Sequence, residues 1–562
     1  MITVIVSWCY IFMVCLLLGA GASALLEKIS GKQEERTPIS LLVILGVVVS
    51  TVYTEYLSCF MKIGMMAHLI LVMLAILCGV LCRKTVGRYL NAASKLLFSW
   101  EGLFYIGFLF FIAYFTSRGE FHTDTNIYHA QNIRLYEEYG LIKGMGNLQL
   151  HFAYNSAYLA FAAIFSMKWL LGQSLHTTTG FLEAFLCIYA FYGLKRFRQH
   201  ERHWADFTKI GILFYVLVIL ARSMSPATDF GTMLIALYIL VAWCDNLENE
   251  KSVYIYSLLS IIAVFVLTMK FSACFLVLLA IYPAIIMIKN KKWKMLGLCF
   301  VSGAIILIPF LMRNFLISGW LLYPFDKIDL FNVEWKIPRE YLLEDSAQIT
   351  VWARCLYNTE LIDMPVLEWV PIWWEGQFRY EQMFLGSAII GTVLLVVQFL
   401  QRRFQKKKME WDAGVLLLTI YMNIVLWFCI APFIRYSLAF LFMIPLLAIG
   451  EWGSEEKKGF YSLISGGLVF CIVICLSPYW DHYITDGGVF IKQHLRDKYY
   501  LKQQDYDLGN MDFVEINGNK IYYDETYNEV NSYFTYPSTC YPQMLERTTL
   551  MGDSITDGFK AK

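Results

Sequence analysis

The sequence predicts an all-α polytopic membrane protein of about fourteen transmembrane helices, ending in a small β-rich extracytoplasmic C-terminal appendage. Three observations predict it. Of 562 residues, 58% are hydrophobic and only 16% charged, and the mean hydropathy is +0.52, well away from the soluble average. Apolar runs long enough to cross roughly 30 Å of hydrocarbon recur along most of the chain. Lysine and arginine gather in short loops between those runs, which sets an orientation because basic loops resist translocation.

The runs centre on residues 3–25, 39–58, 65–82, 99–116, 177–195, 207–222, 228–244, 252–268, 271–288, 295–315, 383–400, 411–430, 435–450 and 459–477. The first has no basic stretch before it and no clear cleavage site, so it reads as a retained helix. Basic clusters stand at Lys28/Lys32/Arg36, Arg83/Lys84/Arg88/Lys95, Lys195/Arg196/Arg198/Arg202, Lys289/Lys291/Lys292/Lys294 and Arg402/Arg403/Lys406/Lys407/Lys408. All five face the cytoplasm together only if a further apolar stretch, Ala153 to Leu171, does not span. That stretch is therefore expected to be juxtamembrane or re-entrant on the outer side. Both termini and two large loops, 117–176 and 318–382, then lie outside. The chain divides into N-terminal accessory helices (1–98), a transmembrane core (99–477) and an extracytoplasmic tail (478–562). Within the tail, "EINGNKIYY" places an Asn-Gly turn between alternating strand-like residues.

The net charge of +1 says nothing about partners, and no basic block suggests nucleic acid, which is not expected as a partner. Most of the 14 cysteines lie within apolar runs as small hydrophobes. Only Cys59, Cys355 and Cys540 fall in outer segments, where a bridge between two of them could form.

The most polar stretch in the first half of the chain is "EFHTDTNIYHAQNIRLYEEYGLIKGMGNLQLHF", Glu120 to Phe152. Thr123, Asp124 or Thr125 can cap a helix that Gly140 stops, so residues 125–139 are expected to form a short helix. Asp124, Tyr128 and Gln131 then share one arc of it. Asp124 either caps that helix or does chemistry. Three cations, Lys270 in "TMKFS", Arg313 in "RNFLISGWLLYPF" and Arg435 in "APFIRYSLAF", stand on the same outer side. Cations at the hydrocarbon boundary snorkel or meet an anion, and three together suggest a lipid phosphate. Asp229, in "SPATDFG", either binds substrate or answers a helix dipole.

Asp124, Tyr128 and Arg134 in a large first loop resemble the corresponding loop of the GT-C superfamily of multipass glycosyltransferases. The segment "LIKGMGNLQLHFAYNSAYLAFAAIFS" is similar to the juxtamembrane portion of that loop, and the next helix ends in a basic "GLKRFR". "RNFLISGWLLYPF" resembles the RN…TGNPLYP pattern of many bacterial members, and "APFIRY" their late P..RY signature. The likeness covers roughly residues 99–450. The chain departs from the pattern in its three extra N-terminal helices, in lacking an Asp-Glu pair in the first loop, and in its tail. The "YHAQNIR" stretch and the tail ending also suggest an uncharacterised bacterial membrane protein family. The resemblance implies an enzyme of a bacterial inner (cytoplasmic) membrane with its site outside. It implies inverting transfer of a sugar from a polyprenyl-phosphate donor to a hydroxyl of a glycan, lipid or protein acceptor.

Such chemistry needs a base for the acceptor hydroxyl, cations for the leaving phosphate and a held sugar. Asp124 is the expected base, with Glu120 in reserve. Arg313, Arg435 and Lys270, with Asn314 and Tyr436 beside them, are the expected phosphate ligands. Tyr128, His122, His129, Arg134 and Asp229 are expected to contact sugar or acceptor. No cofactor motif is present; a divalent metal on His122, Asp124 and His129 is allowed by residue type but matches no established ligand spacing. The second loop holds eleven Asp and Glu against five Lys and Arg, and many tryptophans, which suit either sugar stacking or a membrane-interface belt. Two other functions fit a multipass protein: a polymerase or ligase of lipid-linked polysaccharides, and a transporter or lipid flippase. The latter calls for ionisable residues spread through the helices, whereas here Glu55 and Glu183 are the main ones.

Overall fold

Hydropathy and helix coincide along the chain. The computed structural model describes residues 1–30, 37–194, 203–406, 410–452, 487–526 and 530–562. Every expected apolar run among them is helical, and the run at 459–477 lies outside the described residues. Among the described residues nine helices are long and apolar enough to cross a membrane, or ten if the bent pair Met65–Leu81 and Arg83–Leu97, which turns by 93°, is one span. Thr178–Leu194, Val253–Met269 and Leu438–Trp452, of 17, 17 and 15 residues among the described ones, match three further expected runs. Length and composition thus support an all-α multipass membrane protein. The stretch 153–171 forms an eight-residue helix, Ala157–Ile164, and a single turn, Lys168–Leu171. At 1.5 Å per residue neither crosses a bilayer, and every side chain of the first is buried.

Close backbone packing organises the N-terminal helices. A Cβ on Gly19 would stand 1.8 Å from the Leu42 carbonyl oxygen, and one on Gly46 1.8 Å from that of Cys15. Glycine at these two positions lets Ile2–Ser30 and Ile39–Ser58 cross with their main chains in contact, the device small residues serve in membrane bundles. The helix Thr228–Glu248 runs through the middle, with 94% of its apolar window buried. It carries Asp229 in its first turn.

The C-terminal segment contains the expected β-structure. Strands β1 (Met511–Ile516) and β2 (Asn519–Asp524) pair antiparallel across Asn517 and Gly518, both at positive φ, the signature of a two-residue primed turn. Strand β3 (Ser538–Thr539) adds parallel to β2, and β4 (Thr548–Leu550) pairs with β5 (Phe559–Ala561). This segment lies against the first loop. Arg134 donates to the Tyr533 carbonyl at 2.6 Å, Asn531 to Gln149 at 2.8 Å, and the Tyr533 hydroxyl to Glu137 at 2.5 Å. Gly144, at φ +63°, permits the last strand to dock: Phe559 N–H donates to the Lys143 carbonyl at 2.9 Å.

Candidate functional site

The polar stretch after Ser117 is stitched to the turn that precedes Thr228–Glu248. Glu120 N–H donates to the Ala221 carbonyl at 3.0 Å, and His122 N–H to Ser225 Oγ at 3.2 Å. Thr125 Oγ1 lies 2.5 Å from the same Ser225 oxygen. Residues Thr125–His129 then form a π-turn, closed by Ala130 N–H on the Thr125 carbonyl, before the α-helix Ala130–Glu138. π-turns frequently mark functional sites. The insertion corrects the expected helical arc: Gln131 donates to the carbonyls of Ser532 and Thr535 in the C-terminal segment, while Asp124 meets Arg435. Asp124 makes no side-chain capping bond, so its carboxylate is committed elsewhere.

That commitment is an ion cluster gathered from four separate places in the chain. Arg435 Nη2 donates to Asp124 Oδ2 at 3.1 Å, and Arg435 Nη1 lies 3.0 Å from His122 Nε2. Arg435 Nε stands 3.0 Å from Asp229 Oδ2, an ionic contact outside hydrogen-bond alignment. Asp229 also takes the Lys270 ammonium, which sits 3.7 Å above the Tyr436 ring. Two carboxylates and two cations thus balance one another. Tyr128 closes one side, 9% exposed and stacked on His151 at 5.4 Å.

Electrostatics fix the protonation states. Burial opposes ionisation of Asp124, but the Arg435 guanidinium, with Lys270 beyond it, outweighs it and holds the carboxyl well below the usual carboxylate range. Burial pushes His122 down to about 4 and His129 to about 3, so both rings are neutral at physiological pH. His129 Nε2 is buried without a partner. One oxygen or nitrogen from each of His122, Asp124 and Asp229 lie within 4.8 Å of one another, a spacing suited to a divalent ion, but the Arg435 guanidinium contacts all three. His129 is not part of that triad.

Beside the cluster opens a cavity of about 630 Å³. Its walls are mostly apolar, with Tyr215, Ile219, Phe230, Phe384, Phe433 and Leu438 among them. Its polar features are few: His122, Arg222 and Arg435 on one side and Glu381 and Gln377 from the second loop region. Trp352 and Tyr357 of that loop also line it. A mostly apolar cleft with a few convergent polar groups is the usual form of a small-molecule or lipid site.

The structure brings together Asp124, His122, His129, Tyr128, Asp229, Lys270, Arg435 and Tyr436. It does not bring Arg313 there. That side chain is 1% exposed, donates to Asn155 Oδ1 at 3.1 Å, Ser58 Oγ at 2.5 Å and the Gly140 carbonyl at 3.1 Å, and covers the Tyr136 ring. Its donors serve protein acceptors, so it buttresses the end of the 130–138 helix. Asn314, equally buried, donates to the Leu321 carbonyl. Arg134 points away to Glu138 and Tyr533. Glu120 is exposed. The twelve cysteines among the described residues are all free, so the outer-loop bridge does not form. Sequence reasoning passed over Arg222, which satisfies the criterion that singled out the other cations: a basic residue at the end of an apolar run, here "VLVILARS".

No curated protein and no solved structure matches the chain. The family described as Domain of unknown function (DUF8201) matches residues 1–442, which include every member of the ion cluster, and the chain belongs to that family.

Proposed function

We propose that this protein is an inverting membrane glycosyltransferase of GT-C type that uses a polyprenyl-phosphate sugar. The observation that carries the reading is the juxtaposition of the Asp124 carboxylate and the Arg435 guanidinium, 3.1 Å apart, beside a mostly apolar cavity. Base and leaving-group ligand must flank one sugar, and these two can. The cavity suits an isoprenoid tail, and Arg435 and Lys270 suit its phosphate.

In the reaction, the acceptor hydroxyl loses its proton to Asp124 as its oxygen bonds to the anomeric carbon. The bond from that carbon to the phosphate oxygen breaks, and its electron pair leaves on the lipid phosphate, stabilised by Arg435, with Lys270 holding Asp229 beside it. Proton transfer to a carboxylate can lag bond formation when the electrophile has oxocarbenium character. One base on one face gives inversion. Neutral His122 and His129, with Tyr128, offer polar contacts to the sugar or acceptor. We read the site as facing the extracytoplasmic side of a bacterial inner membrane, because Lys and Arg gather in the loops that the positive-inside rule assigns to the cytoplasm.

The test is transfer of radiolabelled sugar from polyprenyl-phosphate donors by the purified, reconstituted protein. Asp124→Asn should abolish transfer, by about a thousandfold or more, and retain donor binding; full activity in Asp124→Asn would end the proposal. A transporter is the second reading, supported by Glu55 and Glu183, both 0% exposed within apolar helices. Counterflow of a lipid phosphate across vesicles without covalent change would favour it.

A further inference from the structure

The cluster is occupied by its own members. Arg435 directs Nη2 at Asp124, Nη1 at His122 and Nε at Asp229, and Lys270 is spent on Asp229. With two carboxylates against two cations, nothing positive is left over for an anion. The same contact silences Asp124, whose basicity is lowest while the guanidinium lies against it.

Two features show that this arrangement is poised to open. First, His122 is flanked by two donors. Asp124 N–H points at Nδ1 at 3.1 Å and Arg435 Nη1 at Nε2 at 3.0 Å. A neutral imidazole accepts at one nitrogen and carries hydrogen on the other. The backbone N–H cannot turn away, so Nδ1 accepts, and Nε2–H meets Arg435 donor against donor. Second, Arg222 on the cavity wall has no hydrogen-bond acceptor or carboxylate among the described residues, and its Nε is buried without a partner. A guanidinium on a mostly apolar cavity wall with no carboxylate in contact among the described residues, Glu381 of the same wall forming no ion pair with it, has donors free for an anionic ligand.

We propose that a lipid phosphate entering the cavity docks first on Arg222 and then draws Arg435 away from Asp124, so that ligand binding itself releases the base. This rests on the transferase reading and adds an order to it: donor before acceptor. The phosphate supplies the acceptor that Arg435 Nη1 lacks at His122, and it compensates the cation at Arg222. Asp124, left beside its neutral histidines, regains affinity for a proton at the moment an acceptor hydroxyl needs it. The resting enzyme is thereby protected from water acting as acceptor before a donor is seated.

The experiment titrates the full-length protein in detergent with a C55 polyprenyl phosphate and, in parallel, with inorganic phosphate, reading affinity by native mass spectrometry and tryptophan fluorescence. Asp124→Asn removes a competitor for Arg435 and should tighten polyprenyl phosphate binding. Arg222→Gln should weaken it by roughly thirtyfold or more, and Arg222→Lys, which keeps the charge and guards against a folding defect, should fall between. Inorganic phosphate should bind neither form measurably; binding equal to that of the polyprenyl compound would overturn the lipid assignment. Unchanged affinity in Arg222→Gln, or weaker binding in Asp124→Asn, would overturn the release scheme. Such a result together with loss of sugar transfer in Asp124→Asn removes this inference and leaves the transferase reading standing. The expected binding pattern with no turnover of any sugar-charged donor would do the reverse.

Discussion

Replacing Arg435 by glutamine tests the ion cluster without any knowledge of substrate. The change leaves Asp124, 17% exposed, and Asp229, 2% exposed, to share Lys270 alone. Removing one partner of a buried ion pair costs about 3–5 kcal/mol because the other charge stays behind. Partial exposure of Asp124 puts the expected loss near the lower end, about 3 kcal/mol at pH 7. The pH dependence carries the sharper test. In the native protein the Asp124 pKa is depressed, so its contribution is complete above the unfolded value of about 3.9 and is lost as pH falls through the folded one. In Arg435→Gln the depressing cation is gone and burial acts against ionisation, so the same carboxylate costs stability at neutral pH. The stability gap between the two proteins should be widest above roughly pH 5 and close as both acids take up protons toward pH 4 and below. Thermal unfolding in detergent micelles from pH 4 to 8, followed by tryptophan fluorescence, measures it. A gap that is constant with pH, or widest in acid, would refute the charge-pairing argument.

Other outcomes follow from the same geometry. His122→Gln should lower activity while leaving the shape of the pH–rate curve between pH 5 and 8 unchanged, because His122 titrates near 4; a lost inflection near neutrality would contradict this. Tyr533→Phe removes a donor from buried Glu137 and should cost about 1–3 kcal/mol, seen as faster hydrogen exchange in residues 130–138. Gly144→Ala would set a Cβ 1.9 Å from the Phe559 carbonyl oxygen at a φ of +63°, so the last strand should detach and become sensitive to carboxypeptidase.

Helices are legible in this sequence because hydropathy acts residue by residue, and the Asn-Gly hairpin because two positive φ angles need those two residues. Helix lengths are not: Val253–Met269 stops at 17 residues where Lys270 turns to Asp229. Arg313 and Arg435 look alike in sequence, each a cation where an apolar run meets a loop. What separates them is their surroundings, and those come from far away: Ser58 and Gly140 are 255 and 173 residues from Arg313. Asp124 is legible as a polar residue in a greasy chain, but its choice between cap and site depends on Arg435, 311 residues on. The π-turn that rotates Gln131 out of the expected arc has no signature in "TNIYH" that periodicity detects.

The bonds between Gln131 and Ser532 span 401 residues, and Asn531, Tyr533 and Phe559 reach the first loop across similar separations. A ribosome adding about 5–20 residues each second needs roughly 20–80 s to travel that far. Through that interval the segment bearing Asp124 has been made while its brace has not. The later part of the first loop, from Gln131 to Gln149, is therefore completed last, after the C-terminal strands arrive, whereas the Asp124 end can already be held by Ser225 and Arg435.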